Sequence, residues 1–197
     1  MGSFLTRSIL VKYPGSGIAG AVICGTGWMP GAVIRSGRLV SSLLCHGDNA
    51  KKPSDLLQRV MFGSYNRRIK NKRTDCDWLS RDESVVDAFL ADPLCCFAPT
   101  PQLAKAMMDG LLYIQNSGNL KRMNKDLPVY FIAGEEDPVG DYGKGVRKAA
   151  QMFVRSGMKQ VSVRLYPGCR HEILNELGKE EIYADTAAWM DSTLIRL

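Results

Sequence analysis

Pro128-Val-Tyr-Phe-Ile-Ala-Gly134, followed at once by Glu135-Glu136-Asp137-Pro138, is a short apolar run that ends in glycine and meets three acids and a proline. Its length and composition predict a buried parallel strand, and Pro138 stops any extension of it. A helix comes next, because Val146, Ala149, Ala150, Phe153 and Val154 recur at i, i+3, i+4, i+7 and i+8. Val161-Ser-Val-Arg-Leu-Tyr-Pro-Gly168 then alternates as a second strand, and three residues past its glycine stands His171, one of two histidines in the chain. Strand, helix and parallel strand place Asp137 and His171 beyond the carboxyl ends of their strands, on one edge of the sheet. That edge is where open α/β sheets carry their chemistry. An acid there can hold an imidazole in one tautomer while the imidazole takes a proton from a nucleophile.

Working toward the amino terminus, residues 2–12 read as a helix with Phe4, Leu5, Ile9 and Val11 on its apolar side, ended by Tyr13-Pro14-Gly15. Residues 18–24 (Ile-Ala-Gly-Ala-Val-Ile-Cys) read as another buried parallel strand. Gly25-Thr26-Gly27 closes it as a tight turn and lacks the spacing of a phosphate-binding loop. From Trp28 to about Pro99, helical segments near 31–45 and 54–62 alternate with polar breaks and no strand is evident. Such a length between parallel strands predicts an inserted helical layer and not a simple crossover. Within it, Ser80 and Glu83 have capping-box spacing ahead of Val85, Val86, Phe89 and Leu90. Thr100-Pro101 starts a helix carrying Leu103, Met107, Leu111 and Ile114, which Asn116-Ser-Gly-Asn119 breaks. A last helix is expected over 179–195, with Tyr183, Ala187, Met190 and Leu194 on one stripe. The chain therefore divides into core at 1–27, a helical insertion at 28–99 and core again at 100–197.

Gly134-Glu-Glu-Asp-Pro-Val-Gly140, Asp141-Tyr-Gly-Lys-Gly-Val146 and Tyr166-Pro-Gly-Cys-Arg-His-Glu-Ile-Leu-Asn-Glu176 resemble the α/β-hydrolase superfamily, in its lysophospholipase and monoacylglycerol lipase (serine aminopeptidase-like) branch. Asp75-Cys-Asp-Trp-Leu-Ser-Arg-Asp-Glu83 and Ala91-Asp-Pro-Leu-Cys95 resemble the lid of that branch. Met1-Gly-Ser-Phe-Leu-Thr-Arg7 resembles the residues immediately after its nucleophile. The resemblance implies the carboxyl-terminal half of an α/β-hydrolase, with about three parallel strands, flanking helices and a mainly helical lid at 28–99. It makes Asp137 the acid and His171 the base, and assigns one oxyanion-hole amide to Met1. It also implies an acyl pocket shaped by the lid, for which Leu43, Leu44, Val60, Met61 and Phe62 are the apolar candidates. On this alignment Met1 and Gly2 close the G-x-S-x-G elbow, and the serine falls one residue before Met1.

No G-x-S-x-G occurs within residues 1–197. Ser3 is expected inside the first helix facing away from the strand end, and Ser16 precedes its strand at the wrong edge of the sheet. The chain alone is thus expected to be inactive. The implied reaction is hydrolysis of acyl esters of glycerol or glycerophospholipid. A peptidase or another esterase on the same fold is the rival reading among hydrolases, and a non-catalytic fragment that binds a lipid or a protein is the rival outside them.

Composition narrows the partners. At 197 residues and 45% hydrophobic the chain can bury a core, while no apolar run is long enough to span a membrane. With no signal-peptide pattern, the expectation is a cytoplasmic protein whose six cysteines are reduced thiols. No C-x-x-C is present, and neither a metal nor a cofactor is expected. The net charge of +6 is too dispersed to argue nucleic-acid binding. The one basic cluster, Arg67, Arg68, Lys70, Lys72 and Arg73, is either a solvated loop or a lid edge that meets anionic lipid. His46 reads as a cation at a helix end rather than a catalytic group. An unpaired strand at 18–24 would expose a sheet edge prone to self-association.

Overall fold

The computed structural model describes residues 1–195. Three parallel strands, β1 (Ala21–Cys24), β2 (Val129–Gly134) and β3 (Val161–Tyr166), form one sheet in the order β1-β2-β3. Register runs straight across it: Ala21 pairs with Val129, which pairs with Val161, and the β2–β3 ladder ends at Gly134 beside Tyr166. The class is α/β.

All six residues of β2 are buried, as the unbroken apolar run requires of a central strand. Its side chains alternate between two cores. Val129, Phe131 and Ala133 pack with Leu10 and Val11 of α1 (Gly2–Lys12) and with Val146, Ala149, Ala150 and Phe153 of α7 (Lys144–Arg155). Tyr130 and Ile132 point the other way, toward Ile173 and toward Ile182 of α8 (Lys179–Leu194). Helices on both faces make the sheet doubly covered.

Between β1 and β2 lie α2 (Gly31–Leu44), α3 (Asp55–Phe62), α4 (Glu83–Ala91), α5 (Pro101–Ile114) and α6 (Ser117–Leu120). A third apolar cluster joins Ile34 of α2 to Met108, Leu111 and Ile114 of α5. Thr100 caps α5 by accepting the Leu103 N–H at 3.2 Å, with Pro101 at the first helical position.

Several sequence expectations need correction. β1 begins at Ala21 and not at residue 18, because Ile18 is exposed and the ladder starts only where Ala21 N donates to Pro128 O. The buried side of α1 is Arg7, Leu10 and Val11, while Leu5 and Ile9 face outward. On α8 the inward stripe is Ile182, Trp189 and Thr193, with Trp189 stacked on Tyr130 at 5.4 Å. The expected Tyr183, Met190 and Leu194 are exposed. The two stripes differ by one residue, a rotation of about 100° about the helix axis. α4 is capped by Asp82, whose Oδ1 accepts the Ser84 N–H at 3.0 Å. Ser80 is instead buried, accepting the Asp82 N–H and donating to Asn175 O. Asn116-Ser-Gly-Asn119 does end α5, yet Asn116 also caps the single turn of α6.

Candidate active site

Gly134 ends β2 and the chain turns through Glu135, Glu136 and Asp137 over the end of β3. Glu135 N donates to Tyr166 O and Glu136 N to Cys169 O, which sews the acidic turn to the loop that carries His171. The three acids have different environments. Glu135 and Glu136 are exposed, whereas Asp137 is 0% exposed. Asp137 Oδ1 accepts the Val139 N–H at 2.8 Å and Oδ2 lies 3.0 Å from His171 Nδ1. Both carboxylate oxygens are therefore engaged, and the imidazole is oriented by one of them. Nε2 has no hydrogen-bond partner among the described residues.

The His171 loop is also held from the segment between β1 and β2. His171 N donates to Trp78 O at 3.3 Å and Glu172 N to Leu79 O at 2.7 Å. Behind these bonds lies a polar lock. The buried Glu176 accepts Arg81 N and Arg170 N at Oε1, and Arg81 Nε and Leu177 N at Oε2. Arg170 Nη1 in turn donates to Asp77 O and Ser80 O. Asp77 closes its own turn by accepting from Arg73 N and from Thr74. Sequence reading missed this lock: Arg81 and Glu176 stand 95 residues apart, and no local pattern connects them.

Trp78 also brings an aromatic group to the histidine. Its ring lies 5.2 Å from that of His171, with Tyr65 4.9 Å and Phe62 6.2 Å from Trp78. Burial, with the Asp137 charge adding to it, pushes the Tyr65 hydroxyl up to about 12, so this side chain stays neutral.

On its other side His171 borders an open groove of about 340 Å³, lined also by Met1, Gly2, Ser3, Thr6, Val22, Cys24 and Gly25. Gly25 has φ 58, and a Cβ there would stand 3.0 Å from His171 Cε1, so a side chain would crowd the imidazole. Ser3 corrects an expectation, for it faces this groove rather than away from the strand ends. Cys24 is a poor nucleophile there. Burial, aided by the charges of Asp137 and Glu172, pushes its thiol up to about 12. Met1 lines the same groove as His171, which puts it beside the acid–histidine pair.

Of the pocket candidates, Leu43, Leu44, Val60, Met61 and Phe62, none lines the groove, and Phe62 reaches His171 through Tyr65 and Trp78. Leu43 and Val60 are exposed. His46 Nδ1 lies 2.8 Å from Leu43 O near the end of α2. In the basic cluster, Arg73 pairs with Asp87 and Lys72 with Asp75, and Arg68 lies 3.5 Å over the Tyr142 ring. Among the described residues no group of three His, Cys, Asp or Glu could hold a metal, and no helix is long and apolar enough to cross a membrane.

A parallel sheet with helices on both faces and an oriented histidine–aspartate pair at its carboxyl edge defines the α/β-hydrolase class. The chain belongs to the family described as serine aminopeptidase, S33, whose model matches residues 1–178. It is similar to a monoacylglycerol lipase of Mycolicibacterium smegmatis, 26% identical over 135 residues, which are 68% of this chain and 45% of that one. It is similar in structure to a highly thermostable carboxyl esterase from Bacillus coagulans, solved in complex with glycerol. There the TM-score is 0.86 at 25% identity, covering 97% of this chain and 62% of the esterase. A soluble variant of monoglyceride lipase from Saccharomyces cerevisiae shares the fold at a TM-score of 0.67 and 17% identity, with 97% and 62% covered. The chain thus spans less than two thirds of the length of each.

Proposed function

We propose that residues 1–197 carry the acid, the base and the lid of a serine-type hydrolase acting on acyl esters of glycerol or glycerophospholipid. The observation that carries this reading is the 3.0 Å contact between His171 Nδ1 and the fully buried, doubly engaged Asp137, with Nε2 left free. Asp137 holds the imidazole so that Nε2 takes the proton of a serine hydroxyl as its oxygen attacks the ester carbonyl. The imidazolium then protonates the departing glycerol oxygen, and water cleaves the acyl-enzyme by the same route. The backbone N–H of Met1 serves as one oxyanion donor, and such donors are worth about 2.7–4 kcal/mol each. The aromatic group of Phe62, Tyr65 and Trp78, with the apolar residues of 28–99 around it, forms the lid side of the acyl pocket. The exposed Arg67 and Lys70 are the part of the basic cluster available to an anionic lipid surface.

Residues 1–197 supply no serine in a G-x-S-x-G elbow, so the chain by itself does not hydrolyse esters on this reading. The test is labelling by a fluorophosphonate probe. Residues 1–197 alone should not label, and a chain extended upstream of Met1 by a hydrolase segment ending in Gly-His-Ser should. Labelling should vanish in His171→Ala, and Asp137→Asn should lower kcat about 10⁴-fold by stabilising the wrong tautomer. Cleavage of aminoacyl anilides in place of monoacylglycerols would move the reading to a peptidase. Labelling of residues 1–197 that disappears in Ser3→Ala would overturn the nucleophile assignment.

A further inference from the structure

The contact between Cys76 and Cys96 has no part in the reaction proposed above. Their Sγ atoms are 3.5 Å apart, one ahead of Trp78 and the other just past α4, and 20 residues of chain separate them. Both are free thiols, Cys76 buried and Cys96 exposed. Cys96 has φ 55, a left-handed conformation that residues other than glycine seldom adopt. It sits in the turn after α4, where Leu94 N and Cys95 N bond back to Asp92. The strained turn thus holds an exposed thiol against a buried one.

We propose that Cys76 and Cys96 are a modification site, a thiol pair that closes to a disulfide when the protein meets a peroxide. The separation is beyond a bond of about 2.05 Å, so closure requires the sulfurs to approach by about 1.5 Å, a movement the exposed turn at Cys96 can supply. The order of events is set by access. Cys96 sulfur, as thiolate, attacks one oxygen of hydrogen peroxide. The O–O bond breaks, hydroxide leaves as water after taking a proton, and Cys96 becomes a sulfenic acid. Cys76 sulfur then attacks Cys96 sulfur, the S–O bond breaks, and the departing hydroxide takes the Cys76 proton. Two thiols are oxidised, one peroxide is reduced, and two waters leave. Burial pushes the Cys76 thiol up to about 12, with its contact to Cys96 contributing, which disfavours it as the first target of peroxide. Its place 3.5 Å from Cys96 is what fits it for the second step. The cross-link encloses α4 and ends two residues before Trp78, the residue whose carbonyl accepts the His171 N–H. Neither step uses His171, so the outcome is independent of the hydrolase reading.

The test uses the full chain. It is incubated with a small excess of hydrogen peroxide, alkylated with N-ethylmaleimide, unfolded, and digested with trypsin without reductant. Mass spectrometry should show the peptide Thr74–Arg81 joined to Asp82–Lys105, and dithiothreitol should separate them. Cys95→Ser should leave the cross-link intact, which assigns it within the adjacent cysteines. Cys96→Ser, an exposed position where folding is not at stake, should abolish it. A vicinal Cys95–Cys96 bond, a cross-link between chains, or a Cys76 fully alkylated beside a sulfinic Cys96 would overturn the proposal, as would loss of the cross-link in Cys95→Ser.

Discussion

At Gly134 two backbones meet with no room for a side chain. A Cβ there would fall 2.0 Å from Cys169 O and 2.3 Å from Arg170 O, both main-chain atoms of the loop that delivers His171. That closeness lets Glu135 N and Glu136 N reach Tyr166 O and Cys169 O. Gly134→Ala should therefore displace the histidine loop and destabilise the fold by about 3 kcal/mol, read by denaturant unfolding. Gly110, inside α5, has nothing within 4 Å of its Cβ position. Gly110→Ala should instead stabilise by about 0.5–1 kcal/mol through helix propensity. If Gly134→Ala proved as harmless as Gly110→Ala, the close approach would not be what positions the loop. The same scale explains why Asp137 stands apart from its two acidic neighbours. Burial and two hydrogen-bonded oxygens distinguish it, and neither can be read from the letters Glu-Glu-Asp.

Among the elements, the segment 73–81 has most influence on the histidine. It is tied to the His171 loop by Trp78 O, Leu79 O, Arg81 and the buried Glu176, and its own turn is closed by Asp77. Burial works to raise the Asp77 carboxyl, but hydrogen bonds from the Thr74 hydroxyl and from the Arg73 and Thr74 amides outweigh it and hold the group below its usual range. A carboxyl depressed on folding adds stability above its unfolded value and loses it as pH falls through the folded one. The turn should thus loosen only as pH drops below about 4. Trp78 fluorescence in a Trp28→Phe, Trp189→Phe background reports it. Asp77→Asn should remove that acid transition and cost about 2 kcal/mol at neutral pH, the scale of hydrogen bonds to a charged acceptor. An unchanged acid transition in Asp77→Asn would place the titrating group elsewhere.

Across the whole molecule, the sheet is covered above and below but not along β1. Ala21 N and Gly25 N bond to β2, so by alternation the main-chain groups of Val22 and Cys24 face the other way, into the groove beside His171. No strand among the described residues pairs with that edge. An uncovered edge of this kind templates further strand pairing. Residues 1–197 should associate as concentration rises, seen as an increasing sedimentation coefficient. Val22→Lys, which puts a charge on the edge, should reduce the association. A monomer at all concentrations would show that the edge is protected by something other than a strand.

Local pattern was enough for the class of fold and for the edge shared by the acidic turn and His171, while the choice of Asp137 among its three acids rested on the family resemblance. The all-apolar run of β2, the 3.6-residue period of α7 and the alternation of β3 each reflect burial that local sequence must match, and parallel order then brings Asp137 and His171 to one side. Helix faces were less legible. On α8 the rows Ile182–Trp189–Thr193 and Tyr183–Met190–Leu194 have the same spacing and comparable apolarity, so hydrophobic period cannot choose between them. Packing on Tyr130 does. The same holds for α1, where a buried Arg7 bonded to Thr26 and Gly27 O displaces the expected Leu5 and Ile9. The Arg81–Glu176–Arg170 lock, the Trp78 contact with His171 and the meeting of Cys76 with Cys96 were decided by tertiary structure alone. Cys76 and Cys96 lie 20 residues apart and Arg81 and Glu176 lie 95 apart, and only the folded backbone sets the distance between them.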